Sequence, residues 1–161
     1  MVEDMGDITN PSQETFFQLM ALHKYFLNAD FLRDVFMRRI KREQSSDERS
    51  FVELIDDTTA MSLWYATVYV VIEGWREIKA TDPELDVLLD DDRVDALRRF
   101  RNQIFHYQRE YDNPRLLEFL GPDDEHAQRA TEWIQRTHAS LGRAIQQAVE
   151  DLMSLRAEED R

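Results

Sequence analysis

The segment Arg101-Asn102-Gln103-Ile104-Phe105-His106 places a permanent cation, a carboxamide and an imidazole within six residues. Arginine presents a planar fork of N–H donors that matches phosphate oxygens, and histidine exchanges a proton near neutrality. Together they suit cleavage of a phosphodiester without a metal. The guanidinium stabilises the charge of a pentacovalent phosphate, and the imidazole moves a proton to or from an oxygen. On a helix, Asn102 and His106 are four apart and share a polar face, while Val94, Leu97, Phe100, Ile104 and Tyr107 form an apolar arc expected to face the core. Arg101 falls at the edge of that arc, between Leu97 and Phe105, where an unpaired guanidinium would be costly. Glu73 interrupts the apolar run Val70-Val71-Ile72-Glu73-Gly74-Trp75, so the two charges are expected to meet across adjacent helices. Glu110, one helical turn after His106, is expected to fix the imidazole tautomer.

Helices have to carry these groups. Met1 to Asn10 reads as a loose leader, with residues 1–11 outside the folded body. The spacing of Phe16, Leu19, Leu22, Phe26, Val35, Phe36 and Ile40 predicts a first helix over 12–42, with a possible kink near Asn28. A polar link, Gln44 to Glu48, leads to a second helix from about Phe51 to Ile78. Its second half, Met61 to Trp75, is apolar nearly all round and reads as a central buried element. The β-branched residues Val68, Val70, Val71 and Ile72 would also suit a strand, but the flanks keep a helical period and no second strand is available to pair. Pro83 to Leu89 reads as a short helical turn, and Asp90-Asp91-Asp92 sits where acids stabilise a helix start. A third long helix is expected over Arg93–Arg109, broken at Asn113-Pro114. A short turn carries Leu116, Leu117 and Phe119, and a fourth long helix runs from Asp123-Asp124 past Leu152, with the tail 156–161 frayed. The whole is expected to be all-α, one domain over 1–161, a four-helix up-and-down type bundle.

Composition narrows the chemistry. The chain has 161 residues, four Gly, four Pro and no Cys, which favours long helices and excludes disulfides, thiolate metal sites and a thiol nucleophile. No Glu-x-x-His occurs, which removes a di-iron bundle, and no metal or other cofactor is expected. With 20 Lys and Arg against 33 Asp and Glu, the formal charge is −13, unfavourable for general adhesion to nucleic acid. The charge is uneven, however. Thr81 to Asp92 holds six acids and no base, whereas Arg93 to Arg115 holds six Arg and three acids. The acidic start has no apolar core, so no signal peptide is expected, and the stretch from Trp64 to Ile72 is too short to span a bilayer. A cytoplasmic protein with no membrane partner is the expectation.

Arg101, the polar Asn102, and His106 after four intervening residues, on the penultimate long helix of a helical bundle, resemble the HEPN superfamily. Leu97-Arg98-Arg99-Phe100 and Phe105-His106-Tyr107 look like the same family, as does an apolar helix with an embedded Glu before it. The likeness in residues covers Leu97 to Tyr107, and in organisation Phe16 to Leu155. It implies an endoribonuclease that works without a metal as a homodimer, with the Arg and His of both protomers in one cleft. The implied reaction is attack of an RNA 2′-hydroxyl on the adjacent phosphate, with Arg101, Asn102 and His106 as the catalytic set. Such members act as toxins or defence nucleases, often beside an antitoxin or nucleotidyltransferase partner. Others have lost catalysis and keep the fold as a dimerising module for a protein partner or a nucleotide.

Plainer readings remain beside this one. Arg101 with Glu73 could be a structural ion pair and nothing more. Trp64, Tyr65, Tyr69, Trp75 and Trp133 read as core, not as a base-stacking platform. Asp90 to Asp92 lacks the spacing of a calcium loop, His23, His126 and His138 read as isolated, and Arg38 to Arg42 reads as a solvated helix end.

Overall fold

A computed structural model of the chain describes residues 11–43, 49–112 and 114–159. Residues 1–10 of the leader and the 44–48 link lie outside the described residues, and Pro11 already begins the first helix. Six helices follow one another: α1 (Pro11–Glu43), α2 (Phe51–Glu77), α3 (Pro83–Leu89), α4 (Arg93–Phe105), α5 (Pro114–Leu120) and α6 (Asp124–Glu159). The fold is all-α, with no strand among the described residues, and no described helix is long and apolar enough to cross a membrane.

α2 is the centre, and its sequence explains why. A capping box fixes its start: the Ser50 hydroxyl accepts from the Glu53 N–H at 3.2 Å, and the Ser50 N–H donates to Glu53 Oε2 at 2.9 Å. From Trp64 to Trp75 it then buries Trp64, Tyr65, Val68, Tyr69, Val71, Ile72 and Trp75. The β-branched run is helix, since burial on every side outweighs its modest propensity cost. Trp133 of α6 is also buried, so all five aromatics expected in the core are there.

α1 is continuous through Asn28 and runs antiparallel to α2, so that Leu22 lies beside Gly74 and Arg39 beside Asp57. Arg39 is therefore not a solvated member of its basic run: its Nε donates to Asp57 Oδ1 at 2.6 Å, and Asp57 is buried. α6 lies against α1 closely enough that a Cβ on Gly142 would fall 2.5 Å from Phe26 Cζ; a larger residue there would push the helices apart. α6 remains helical to Glu159, well beyond the expected start of fraying at 156.

The shorter helices fasten the periphery. Asp82 caps α3, accepting from the Leu85 N–H at 2.9 Å, and its carboxylate also holds Arg143 of α6 at 2.8 and 3.0 Å. At α4 the acidic triplet acts through Asp91, which accepts from the Arg93 N–H at 2.9 Å and pairs with its guanidinium, while Asp92 makes no side-chain cap. α4 packs on α2 and α5; α3 and α5 cover α6.

His138 is not isolated. Inside the α1–α2–α6 contact its Nδ1 accepts from Trp64 Nε1–H at 3.2 Å, and its Nε2 lies 3.0 Å from Asp30 Oδ1. With Nδ1 as acceptor, the proton of the neutral ring sits on Nε2 and points at Asp30.

Candidate functional site

Leu97 and Phe100 are wholly buried and Val94 nearly so, which orients α4 against α2. That register sends Arg101 toward α2. Its Nη2 lies 3.0 Å from each oxygen of Glu73, and its guanidinium carbon stands 5.0 Å from the centre of the Tyr69 ring. The ion pair expected from the two interrupted apolar runs is present. It is only half-buried: the Arg101 side chain is 20 % exposed and that of Glu73 52 %. The Arg101 Nε is buried without a hydrogen-bond partner, so packing on Tyr69 and one nitrogen of the fork carry the contact.

The C-terminal end of α4 departs from expectation. The helix stops at Phe105, four residues before Arg109, and His106 is its extended C-cap at φ −114° and ψ 134°. Residues 106–112 are all exposed, including Tyr107 at 91 %. Tyr107 thus does not belong to the core-facing arc. With no apolar surface to bury, continuing the helix would gain too little to offset its ordering cost, and the chain turns toward Pro114. His106 keeps one link to the helix, its N–H donating to the Asn102 carbonyl at 3.1 Å, and its own carbonyl accepts from Gln108 Nε2 at 3.0 Å.

Because the helix ends there, His106 and Glu110 are not one helical turn apart, and no hydrogen bond joins them among the described residues. Both nevertheless line one cleft between α4, the 106–112 connection and α5, and Asn102 lines it with them. Arg101 does not line that cleft. Within one chain the cleft gathers Asn102, His106 and Glu110, while the Arg101 guanidinium is held on α2 by Glu73 and Tyr69.

The same cleft holds residues that sequence reasoning passed over. Arg99 and Arg115 both line it, and both bind Glu118: Arg99 Nε donates to Oε1 at 2.6 Å and Arg115 Nη1 to Oε2 at 2.8 Å. Those two guanidiniums, Arg115 first, hold the Glu118 carboxyl below its ordinary range. Gln103 ties the walls together, its Oε1 accepting from the Arg115 N–H at 3.2 Å. The excess of Arg between Arg93 and Arg115 is the only signal in the sequence for this cluster. The imidazole of His106 is exposed and has no side-chain partner among the described residues.

No described group of three or more His, Cys, Asp or Glu is arranged to hold a metal ion. No protein-family model, curated protein or solved structure matches the chain.

Proposed function

We propose that this protein is an endoribonuclease of the HEPN type, acting without a metal as a homodimer in a toxin or defence role. The observation that carries this reading is the placement of His106: an unpartnered, solvent-facing imidazole at a cleft that also presents Asn102 and two arginines. In the proposed reaction His106 takes the proton of an RNA 2′-hydroxyl or delivers one to the leaving 5′-oxygen. The 2′-oxygen bonds to phosphorus as the P–O5′ bond breaks, leaving a 2′,3′-cyclic phosphate and a 5′-hydroxyl. Asn102 orients the phosphate, and Arg101 stabilises its added charge. Since Arg101 of the same chain is engaged by Glu73 and Tyr69 and does not line that cleft, the reading has a second copy complete the site. Exposed Phe17, Leu27 and Phe31 on the outer face of α1 support an association of this kind. An antitoxin or nucleotidyltransferase partner fits the same role, as does a cytoplasmic setting.

A second reading has its own observation. Arg101 is already engaged by Glu73 and Tyr69, as it would be in a non-catalytic dimerising module that binds a protein or a nucleotide. Single-stranded RNA incubated with the wild type, His106→Ala and Arg101→Ala separates the two. The enzyme reading expects EDTA-resistant cleavage with cyclic-phosphate ends, a drop of about a hundredfold or more for His106→Ala, and light scattering at twice the 19.2 kDa chain. A wild type that cuts none of several RNAs, or His106→Ala cutting as well as the wild type, leaves the module reading in its place.

A further inference from the structure

Arg99, Glu118 and Arg115 form a charge cluster whose composition is unbalanced. One carboxylate faces two guanidiniums, so the group carries a net positive charge in a chain whose total is −13. The pairing also leaves most donors unused. An arginine has five N–H groups; Arg99 commits those of Nε and Nη2 to Glu118 Oε1, and Arg115 commits one on Nη1 to Oε2. Neither makes another side-chain hydrogen bond among the described residues, and their side chains remain 38 % and 49 % exposed. A cluster meant only to join α4 to α5 would need one arginine for one carboxylate.

The cluster is also held in place before any ligand arrives. Arg99 comes from α4 and Arg115 from α5, Glu118 bridges them, and Gln103 fastens the start of α5 to α4. Guanidiniums fixed in this way lose less freedom on binding than two free surface arginines. Their planar forks suit the paired oxygens of a phosphate. Both line the cleft that contains His106 and Asn102. The acids of that cleft, Glu110 and Asp112, sit on the connecting segment, so a polyanion entering it is directed to the α4–α5 wall.

We propose that Arg99 and Arg115, gathered on Glu118, form a phosphate clamp that grips the backbone of single-stranded RNA beside the bond facing His106. The clamp rests on the ribonuclease reading for its substrate and adds two binding residues and one positioning residue to it. Glu118 sets the spacing of the two guanidiniums and touches no substrate.

The test measures binding apart from chemistry. A fluorescent single-stranded RNA is titrated by anisotropy against His106→Ala protein, and against the same protein carrying Arg99→Gln or Arg115→Gln, with helix content checked by circular dichroism. Each Gln substitution should weaken binding about tenfold, the effect of removing one charge-assisted hydrogen bond. The slope of log K against log salt should fall by about 0.7 for each phosphate of the single strand that is no longer neutralised. Arg115→Lys should restore the slope and only part of the affinity, since it keeps the charge and loses the fork. Unchanged affinity and slope in both Gln variants overturns the clamp, and so does failure of the His106→Ala protein to bind RNA. Cleavage by the wild type is scored separately. RNA binding that depends on Arg115 in a protein that cuts nothing upholds the clamp and removes the enzyme. Cleavage with Arg99 and Arg115 irrelevant to binding does the reverse.

Discussion

His138 and His106 place the same ring in opposite circumstances. His138 lies at the meeting of three helices, 4 % exposed, with one nitrogen accepting from Trp64 and the other facing Asp30. His106 stands at a helix end in solvent, bonded through its backbone alone among the described residues. A ring with both nitrogens committed holds structure together and has no site left for a substrate proton. A ring with both nitrogens free contributes little to folding and is available for chemistry. The fold thus spends one histidine on cohesion and leaves the other exposed at the cleft, and burial with partner count tells the two apart.

Exchanging each ring for alanine sharpens that contrast most. His138→Ala removes a buried ring and leaves the Trp64 N–H without an acceptor, for an expected cost of about 3 kcal/mol. The same change at His106 should shift stability by no more than about 0.5 kcal/mol. Burial is the larger influence on His138 and holds its pKa below the ordinary 6.5, with Asp30 opposing. Protonation would put a hydrogen on Nδ1, against the Trp64 N–H. The folded state therefore binds this proton less readily than the unfolded chain does. The contribution of His138 is complete above pH 6.5 and declines as the pH falls from there through the lower folded value. Urea midpoints at pH 7.5 and 5 should differ more in the wild type than in His138→Gln. Equal differences would mean that His138 is not what titrates.

The Arg101–Glu73 pair stands between the two histidines in burial, and its expected effect stands between them as well. Breaking a fully buried pair costs about 3–5 kcal/mol. Here the carboxylate is more than half exposed, and water takes over much of what Glu73 provides. Glu73→Ala should cost about 1 kcal/mol, close to the value of a surface pair. A loss of about 3 kcal/mol or more by chemical denaturation, the range of a buried pair, would place the guanidinium in a much drier setting than its 20 % exposure indicates.

What the sequence made legible follows the range of the forces involved. α2 is plain in the sequence because burial on nearly all sides writes a long apolar stretch, Met61 to Trp75, broken by few polar residues. The Arg101–Glu73 contact was plain because each charge breaks such a run, and opposite charges that do so on neighbouring helices have one economical solution. The end of α4 was misplaced because a helical wheel extends any pattern it is given: Tyr107 and Ile104 both fit the arc, and only tertiary packing distinguishes the half-buried Ile104 from the exposed Tyr107. The His138 network was invisible because its partners lie 74 and 108 positions away. The Arg99–Glu118–Arg115 cluster depends on where α5 docks after the end of α4, which no local period records. Arg101, Asn102 and His106 form one motif in the sequence, yet Asn102 and His106 line the cleft while Arg101 is engaged by Glu73 and Tyr69.

The smallest expected effect tests the second carboxylate–histidine relation. A reading of α4 as helical to Arg109 makes Glu110 for His106 what Asp30 is for His138, a carboxylate that sets the tautomer. The observed break at Phe105 removes that geometry, since His106 is extended and its ring has no bond to Glu110. Glu110→Gln takes away one negative charge from the cleft and leaves the imidazole as it was. If RNA is cleaved, the rate should change by less than about threefold, because the charge removed is exposed and screened. Its direction should be upward, since a polyanionic substrate meets less repulsion, and the gain should shrink as salt is raised. Asp30→Asn at the other histidine should leave cleavage alone and lower the denaturation midpoint instead. A loss of cleavage of about a hundredfold in Glu110→Gln, the scale of a general acid–base partner, would mean that the 106–112 connection closes on bound RNA and pairs the two groups there, making His106 a partnered ring after all.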